Sequence, residues 1–207
     1  MKYQFFLKPT VILLSSASMA FGTTITFDDL SAGISGSGNY PALANGYGGL
    51  NWNNFSAVDG TDSATASGGN HSGVVSSKNI AFNGFGSPAS ISGSAFNLTS
   101  GYFTALWSDN LQLEVKGYVG ATLTYDNSYT LSTLGPLLIN FNFLGVDLVQ
   151  FVSSGGTPNT AYTGSGTHFG LDNLTINGGN TVPDATATGL MLSTALLGLA
   201  VLRKKLV

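Results

Sequence analysis

Leu111-Gln-Leu-Glu-Val-Lys-Gly-Tyr118 alternates apolar and polar side chains along its length. A period of two residues is the pattern of a β-strand that buries one face. The same pattern recurs in shorter runs at 24–28, 50–55, 80–82, 101–107, 137–143, 146–151 and 169–176. Turn dipeptides such as Asn45-Gly46 and Asn83-Gly84 separate these runs. The sequence therefore predicts an all-β domain.

The spacing of these runs predicts how the strands connect. Residues 122–131 predict a hairpin around Asp126-Asn127, because both residue types tolerate the positive φ of a type I′ turn. The stretch 59–77 has few apolar residues and predicts a long surface loop. About ten short strands with glycine-rich turns favour a β-sandwich of jelly-roll-like topology, with an immunoglobulin-like Greek key as the alternative.

Charge is distributed unevenly along the chain. The net charge is −3, but Lys2, Lys8 and the three cations Arg203, Lys204 and Lys205 lie near the two ends. Region 21–181 has two bases and nine acids, and nine minus two leaves a net charge of −7. Such a domain lacks the basic surface that binds nucleic acid. The chain has no cysteine, which excludes disulfides, zinc–thiolate sites and cysteine nucleophiles.

The first twenty residues have the features of a secretory signal peptide. Lys2 and Lys8 flank a short apolar run that begins at Val11, and Ser18-Met19-Ala20 ends in small residues. Cleavage is predicted between Ala20 and Phe21. A membrane anchor is the alternative, but the apolar run is too short to span about 30 Å of hydrocarbon.

The C-terminal end has the features of a membrane span. Eighteen uncharged residues separate Asp184 from Arg203, and a helix of that length reaches about 27 Å. The three cations that follow it, Arg203, Lys204 and Lys205, are predicted to stay in the cytoplasm, so the domain would face outward. A buried core helix is the alternative, but it would show polar positions at a helical period.

Val182-Pro183-Asp184, the apolar span and the closing Arg203-Lys204-Lys205 together resemble the PEP-CTERM sorting signal, in its Val-Pro-Asp variant. The resemblance implies recognition by exosortase, cleavage near the motif, and release to the cell surface or the extracellular polysaccharide matrix. The chain would then comprise a signal peptide (1–20), a β-sandwich ectodomain (21–181) and a sorting signal (182–207). The protein would be exported through the inner membrane and anchored there only transiently.

No group of residues forms a recognisable catalytic motif. His71 and His168 are the only histidines, and each lies in a polar glycine- and serine-rich stretch typical of a solvated loop. Glu114 is the only glutamate, so a pair of catalytic carboxylates would have to draw on aspartates in turns. The sequence therefore predicts a protein that is not an enzyme.

Aromatic residues are the better candidates for recognition, because sugars stack on aromatic faces. Tyr40, Tyr47 and Tyr162 lie in glycine-rich loops and are the predicted glycan contacts. Three functions stay open: a structural or adhesive protein of the surface or matrix, a discrete carbohydrate-binding module, and a secreted glycan-active enzyme. The first is favoured, since a domain with few lysines guards its sheet edges poorly.

Four residues predict a structural calcium ion between the two ends of the domain. Asp28 and Asp29 end the first strand, and Asp172 and Asn173 interrupt the alternation of the last strand. Such an interruption predicts a β-bulge, and calcium takes hard oxygen ligands in flexible geometry. Hydrogen bonding of each aspartate to nearby backbone amides is the alternative.

Overall fold

The computed structural model describes residues 22–30, 40–62 and 68–177. Within these ranges the chain forms nine strands and one short helix, α1 (Gly69–Ser72). The strands are β1 (Thr23–Ile25), β2 (Asn51–Asn53), β3 (Phe55–Asp59), β4 (Asn79–Asn83), β5 (Ala89–Ala105), β6 (Ser108–Val119), β7 (Thr122–Leu131), β8 (Leu137–Pro158) and β9 (Phe169–Ile176). The predicted all-β class is confirmed for this part of the chain.

The strands form one hydrogen-bonded network in the order β3-β4-β9-β5-β8-β6-β7, with β1 paired to β9 and β2 paired to β5. The network has two halves: one contains β3, β4, β9 and the second part of β5, and the other contains β6, β7, the first part of β5 and β8 from Val146 onward. The long strands β5 and β8 run through both halves. The second part of β5 lies between β9 and the start of β8, whereas β8 from Val146 onward pairs with the first part of β5 and with β6. Register shifts after Ser92 and a left-handed Gly145 mark the positions where the two strands change course.

Aromatic rings from the two halves meet between them. Phe55 and Phe169 approach Phe151 of β8 at centroid distances of 5.8 and 6.0 Å, and Phe103 of β5 stacks on Phe151 at 5.8 Å. All four rings are buried, and burial of each ring contributes about 1.5–3 kcal/mol. The domain is therefore a β-sandwich-like fold, while its jelly-roll connectivity stays a prediction.

The predicted hairpin at residues 122–131 is wrong. These residues form the single strand β7, in which Asp126 and Asn127 pair with Lys116 and Val115 of β6. Tyr125 on the inner face of β7 stacks on Phe143 at 4.4 Å, which keeps the strand continuous. Asp126 and Asn127, which suggested a turn, are both exposed residues of an edge strand.

Two further expectations differ from the structure. Runs 137–143 and 146–151 are one strand, β8, because the glycine between them bends the backbone without ending the ladder. The predicted surface loop 59–77 contains α1, whose first residues Gly69 and Asn70 are buried. Gly69 lies so close to β5 that a Cβ would come within 2.0 Å of the Ala105 carbonyl oxygen, so this position requires glycine.

The first and last strands are neighbours, as the calcium hypothesis required. Strand β1 pairs antiparallel with the end of β9, from Thr23 opposite Ile176 to Ile25 opposite Leu174. The predicted bulge in β9 is confirmed, since the register with β5 shifts beside Asp172 and Asn173 has a positive φ of 50°.

The predicted signal peptide with its Ala20–Phe21 cleavage site and the predicted sorting signal, from Val182-Pro183-Asp184 to Arg203-Lys204-Lys205, lie outside the described residues. In the ranges that the structure does describe, no helix has the length and apolar character needed to cross a membrane.

Candidate functional site

A cleft lies on the outer face of the half formed by β3, β4, β9 and the end of β5. Its floor follows from the alternation of side chains between the two faces of β3 and β4. Ala57 and Ala81 face the main core, whereas Val58 and Ile80 face outward and form a second small apolar cluster with Leu106. The cleft above this cluster has a volume of about 260 Å³. Its lining residues are Tyr40, Val58, Asn70, Phe82, Leu106, Trp107, Gly164, Ser165 and His168.

Aromatic side chains form the walls of the cleft. Tyr40 packs edge-on against Phe82, with ring centroids 5.3 Å apart, and Phe82 lies 6.4 Å from the imidazole of His168. The backbone of Gly164 rests on the indole of Trp107, where a Cβ would come within 2.3 Å of the ring. A side chain at this position would collide with the indole, so the close approach requires glycine.

His168 is one of the polar residues of the cleft; it lies in the loop before β9, as predicted, but it is half-buried rather than fully solvated. Its backbone carbonyl accepts a hydrogen bond from the Leu106 amide at 3.0 Å, which joins the end of β5 to the residue before β9. Its Nδ1 atom is buried and has no partner within the described residues. Burial lowers the pKa of His168, although a backbone contact with Ser165 opposes the shift. Burial therefore favours the neutral form of the imidazole.

The chemistry of the lining limits what the cleft can hold. Among the residues that the structure describes, no aspartate, glutamate, lysine or arginine lines it. Aromatic faces favour flat apolar surfaces, and a neutral imidazole both donates and accepts hydrogen bonds. A few polar groups within mostly apolar walls are typical of small-ligand sites. An uncharged ligand with apolar faces and hydroxyl groups fits this combination.

The three tyrosines predicted as glycan contacts have different positions. Tyr40 lines the cleft, while Tyr162 does not. Tyr47 packs on Phe27 of the main core and donates a hydrogen bond of 2.6 Å to Asp29. Burial and the neighbouring Asp29 carboxylate raise the pKa of Tyr47. The cleft residues Phe82, Trp107 and His168 were not among the predicted contacts.

Asp28, the first predicted calcium ligand, accepts hydrogen bonds from the backbone amides of residues 77, 78 and 79 at 2.9, 2.8 and 2.9 Å. Burial acts to raise the pKa of Asp28, but these amides outweigh it and the net pKa is lowered. The second predicted ligand, Asp29, accepts the Tyr47 hydroxyl. Both side chains therefore already have hydrogen-bond donors.

Asp172 and Asn173 complete the predicted calcium set. Asp172 is fully buried and accepts hydrogen bonds from the amides of Val75, Ser76 and Asn173 at 2.7, 2.8 and 2.7 Å. Among the described residues, no three His, Cys, Asp or Glu side chains are grouped as metal ligands. The geometry favours the amide alternative, and calcium stays a prediction. A calcium-dependent rise in melting temperature, abolished in Asp172→Ala, would support it.

The pKa of His168 predicts a pH dependence of stability. The folded pKa lies below the ordinary value of 6.5, so the unfolded chain takes up a proton before the folded chain does. The free energy of unfolding should therefore fall as pH drops through about 6.5. Urea titrations between pH 7.5 and 5.5 measure this slope, which His168→Gln should reduce and His71→Gln should retain. An equal slope in all three proteins would contradict the prediction.

The fold and the cleft define a class: an all-β, sandwich-like domain with an uncharged aromatic cleft on its outer face. A crystal structure of a DUF4465 family protein from Bacteroides caccae is similar, with a TM-score of 0.54, 12% identity, and coverage of 75% of this chain and 98% of that one. This likeness shows the fold alone. No family model matches the chain, and no curated protein matches it.

Two other solved structures have lower similarity. A DUF4465 family protein from Bacteroides ovatus has a TM-score of 0.44 and 14% identity, with coverage of 67% of this chain and 81% of that one. TmCBM61 in complex with β-1,4-galactotriose has a TM-score of 0.35 and 8% identity, covering 68% of this chain and 98% of that one. TM-scores at this level support no argument about this chain.

Proposed function

We propose that this chain is an exported protein of the cell surface or extracellular matrix, and that it adheres by binding a neutral carbohydrate in the outer-face cleft. This joins the adhesive role and the carbohydrate-binding role that the sequence left as alternatives. The observation that carries it is the cleft itself, in which the aromatic residues Tyr40, Phe82 and Trp107 line the walls together with His168.

The role is one of binding rather than catalysis. A glycosidase needs two carboxylates on either side of the scissile bond, and the described part of the cleft lining contains none. Asp109 lies elsewhere and accepts hydrogen bonds from the amide and hydroxyl of Thr133, both at 2.8 Å. Glu114 forms a surface ion pair with Lys116. Neither carboxylate is positioned at the cleft.

A binding measurement with matched tyrosine variants tests the proposed function. The probes are immobilised β-glucan, galactan, mannan and xylan, with polygalacturonate as the charged control. Tyr40→Ala should lower the affinity for the bound polymer at least about tenfold, because truncation of a buried aromatic anchor costs about 2 kcal/mol. Tyr118→Ala is the control, since Tyr118 lies on β6 in the other half and bonds Gln150. Failure of the unmodified protein to bind any probe would refute the function.

Export and sorting form the second part of the proposal. Cleavage after Ala20 would release the signal peptide, and exosortase would then cleave near Val182-Pro183-Asp184 and separate the domain from its membrane helix. Support comes from the small residues before Phe21, the eighteen-residue uncharged span and the basic residues that follow it. An outward-facing domain with few charges suits a polysaccharide-rich surrounding.

A structural role by self-association is the second candidate. Strand β7 lies at one end of the strand order, so its outer backbone edge has no partner strand among the described residues. The strand has no lysine or proline to block pairing with another edge. Leu123 on β7 and Leu144 nearby are 45% and 59% exposed. An edge of this kind favours association of copies in a matrix.

A further inference from the structure

Phe85 has two unfavourable features in one residue. Its side chain is 95% exposed, although an aromatic ring gains most by burial. Its backbone lies in the left-handed region, with φ at 56°, where a bulky residue is strained. Strain of this kind persists only where the surroundings impose it, and it concentrates at functional positions.

Phe85 lies in the turn Gly84–Gly86. Hydrogen bonds from neighbouring segments fix the backbone of this turn at both ends. The Gly84 amide donates to the Asn54 carbonyl at 2.9 Å, and the Asn54 side-chain amide donates back to the Gly84 carbonyl at 3.1 Å. The Ser87 amide donates to Gly84 at 3.0 Å. The Thr167 hydroxyl donates to the Gly86 carbonyl at 2.8 Å. The exposed ring therefore projects from a well-braced backbone.

The braced turn adjoins the cleft. Phe82, which lines the cleft, precedes Phe85 by three residues, and Thr167, which holds Gly86, directly precedes His168. The Phe169 amide donates to Asn83 at 2.8 Å, so the end of β4 and the start of β9 are joined here. Phe85 thus extends from the same two strand ends that supply Phe82 and His168.

We propose that Phe85 is a second stacking subsite, and that the ligand is an uncharged polysaccharide with one unit in the cleft and a nearby unit on the Phe85 ring. This inference rests on the proposed carbohydrate binding. The cleft, at about 260 Å³, is smaller than usual ligand pockets of about 300–1,000 Å³, so a polymer with one unit in the cleft would extend beyond it. The residues around Phe85 are Gly84, Gly86 and Ser87, which carry no charge.

The test compares ligand lengths. Calorimetric titrations use the monosaccharide and the tetrasaccharide of whichever probe polymer binds, with the full chain in a zwitterionic detergent that has no sugar headgroup. Phe85→Ala should weaken tetrasaccharide binding about tenfold, a stacking loss of about 1.4 kcal/mol, and leave monosaccharide binding unchanged. Phe85→Tyr should restore tetrasaccharide binding, whereas Phe85→Leu should not. Leu134→Ala is the matched control, since Leu134 is another apolar residue that is largely exposed, at 80%.

The possible failures are distinguishable. If the unmodified protein binds no probe, the proposed function fails and the subsite fails with it. If it binds and Phe85→Ala binds the tetrasaccharide equally well, only the subsite is refuted. An equal loss for both lengths would place the effect in the cleft and refute a separate subsite. Preference for polygalacturonate would refute an uncharged ligand. A change in the sedimentation of the sugar-free protein caused by Phe85→Ala would assign the ring to a protein interface instead.

A stability measurement gives an independent readout. Phe85→Asn replaces a strained residue with one that tolerates positive φ, so the melting temperature should rise by about 2–4 °C while tetrasaccharide binding falls. A variant that is both less stable and unchanged in binding would identify Phe85 as a structural residue and overturn the inference.

Discussion

Replacing Asp172 with alanine is expected to lower the free energy of unfolding by about 3–5 kcal/mol. The carboxylate is fully buried and accepts the amides of Val75 and Ser76 at 2.7 and 2.8 Å and the Ser76 hydroxyl at 3.0 Å. Alanine would leave the two backbone amides without a partner, while the Ser76 hydroxyl would keep only the Thr26 carbonyl at 3.3 Å, and each unsatisfied buried donor costs about 1–3 kcal/mol. The segment between α1 and β4 would also lose its attachment to β9. Urea denaturation measures the effect.

Asp147 provides the matched control for this substitution. Its carboxylate accepts one amide, from Gly120 at 2.7 Å, at an exposed site. Asp147→Ala should therefore cost less than about 1.5 kcal/mol. The loss of unfolding free energy in Asp172→Asn should lie between those of the two alanine variants, because the side-chain amide keeps one oxygen acceptor but turns a donor toward the backbone amides. Equal effects of Asp172→Ala and Asp147→Ala would contradict the role assigned to Asp172.

Replacing Pro183 and Asp184 together with alanine is expected to keep essentially all of the protein in the inner membrane. The proposed sorting enzyme would no longer recognise the motif, while the eighteen-residue uncharged span and the three cations after it would still anchor the chain. Mass spectrometry of the surface form of the unmodified protein should find an N-terminus at or near Phe21 and no Arg203-Lys204-Lys205.

The control for the sorting prediction is a double substitution just before the motif. Asn180→Ala with Thr181→Ala changes the same stretch of chain but leaves Val182-Pro183-Asp184 intact, so release to the surface should continue. Recovery of an intact C-terminus on the mature surface protein would refute exosortase processing. Retention in both double variants would show that the junction as a whole, rather than the motif, is required.

The strands could be predicted because their alternation reflects burial on one face. Run 169–176 coincides with β9, and the slip at Asp172-Asn173 marked its bulge. The strand prediction failed where the same residue types occur both in turns and within strands. Asp126-Asn127 has the composition of a turn, but on an edge strand the same residues simply face solvent. Gly145 between two runs suggested a break, yet glycine also lets one strand bend.

The cleft could not be predicted in the same way, because it joins residues that are far apart in the sequence. Tyr40 was identified from its loop composition, but nothing local links it to Phe82, Trp107 or His168. Their proximity depends on the strand order β3-β4-β9-β5, which places the last strand, β9, between two strands from much earlier in the chain. The composition around His168 indicated a solvated loop, and only the packing shows that its Nδ1 is buried.

The position of β9 determines how this domain would respond to a mechanical pull. The described chain leaves β9 at Asn177, and β9 lies between β4 and β5, with β1 also paired to its end. Tension along this strand shears the ladders with β4 and β5 together, whereas tension on an edge strand peels its bonds one at a time. Forced unfolding is governed by the unfolding rate. A domain held through β9 therefore carries a load on its hydrogen bonds to two neighbouring strands at once, rather than on those of a single edge.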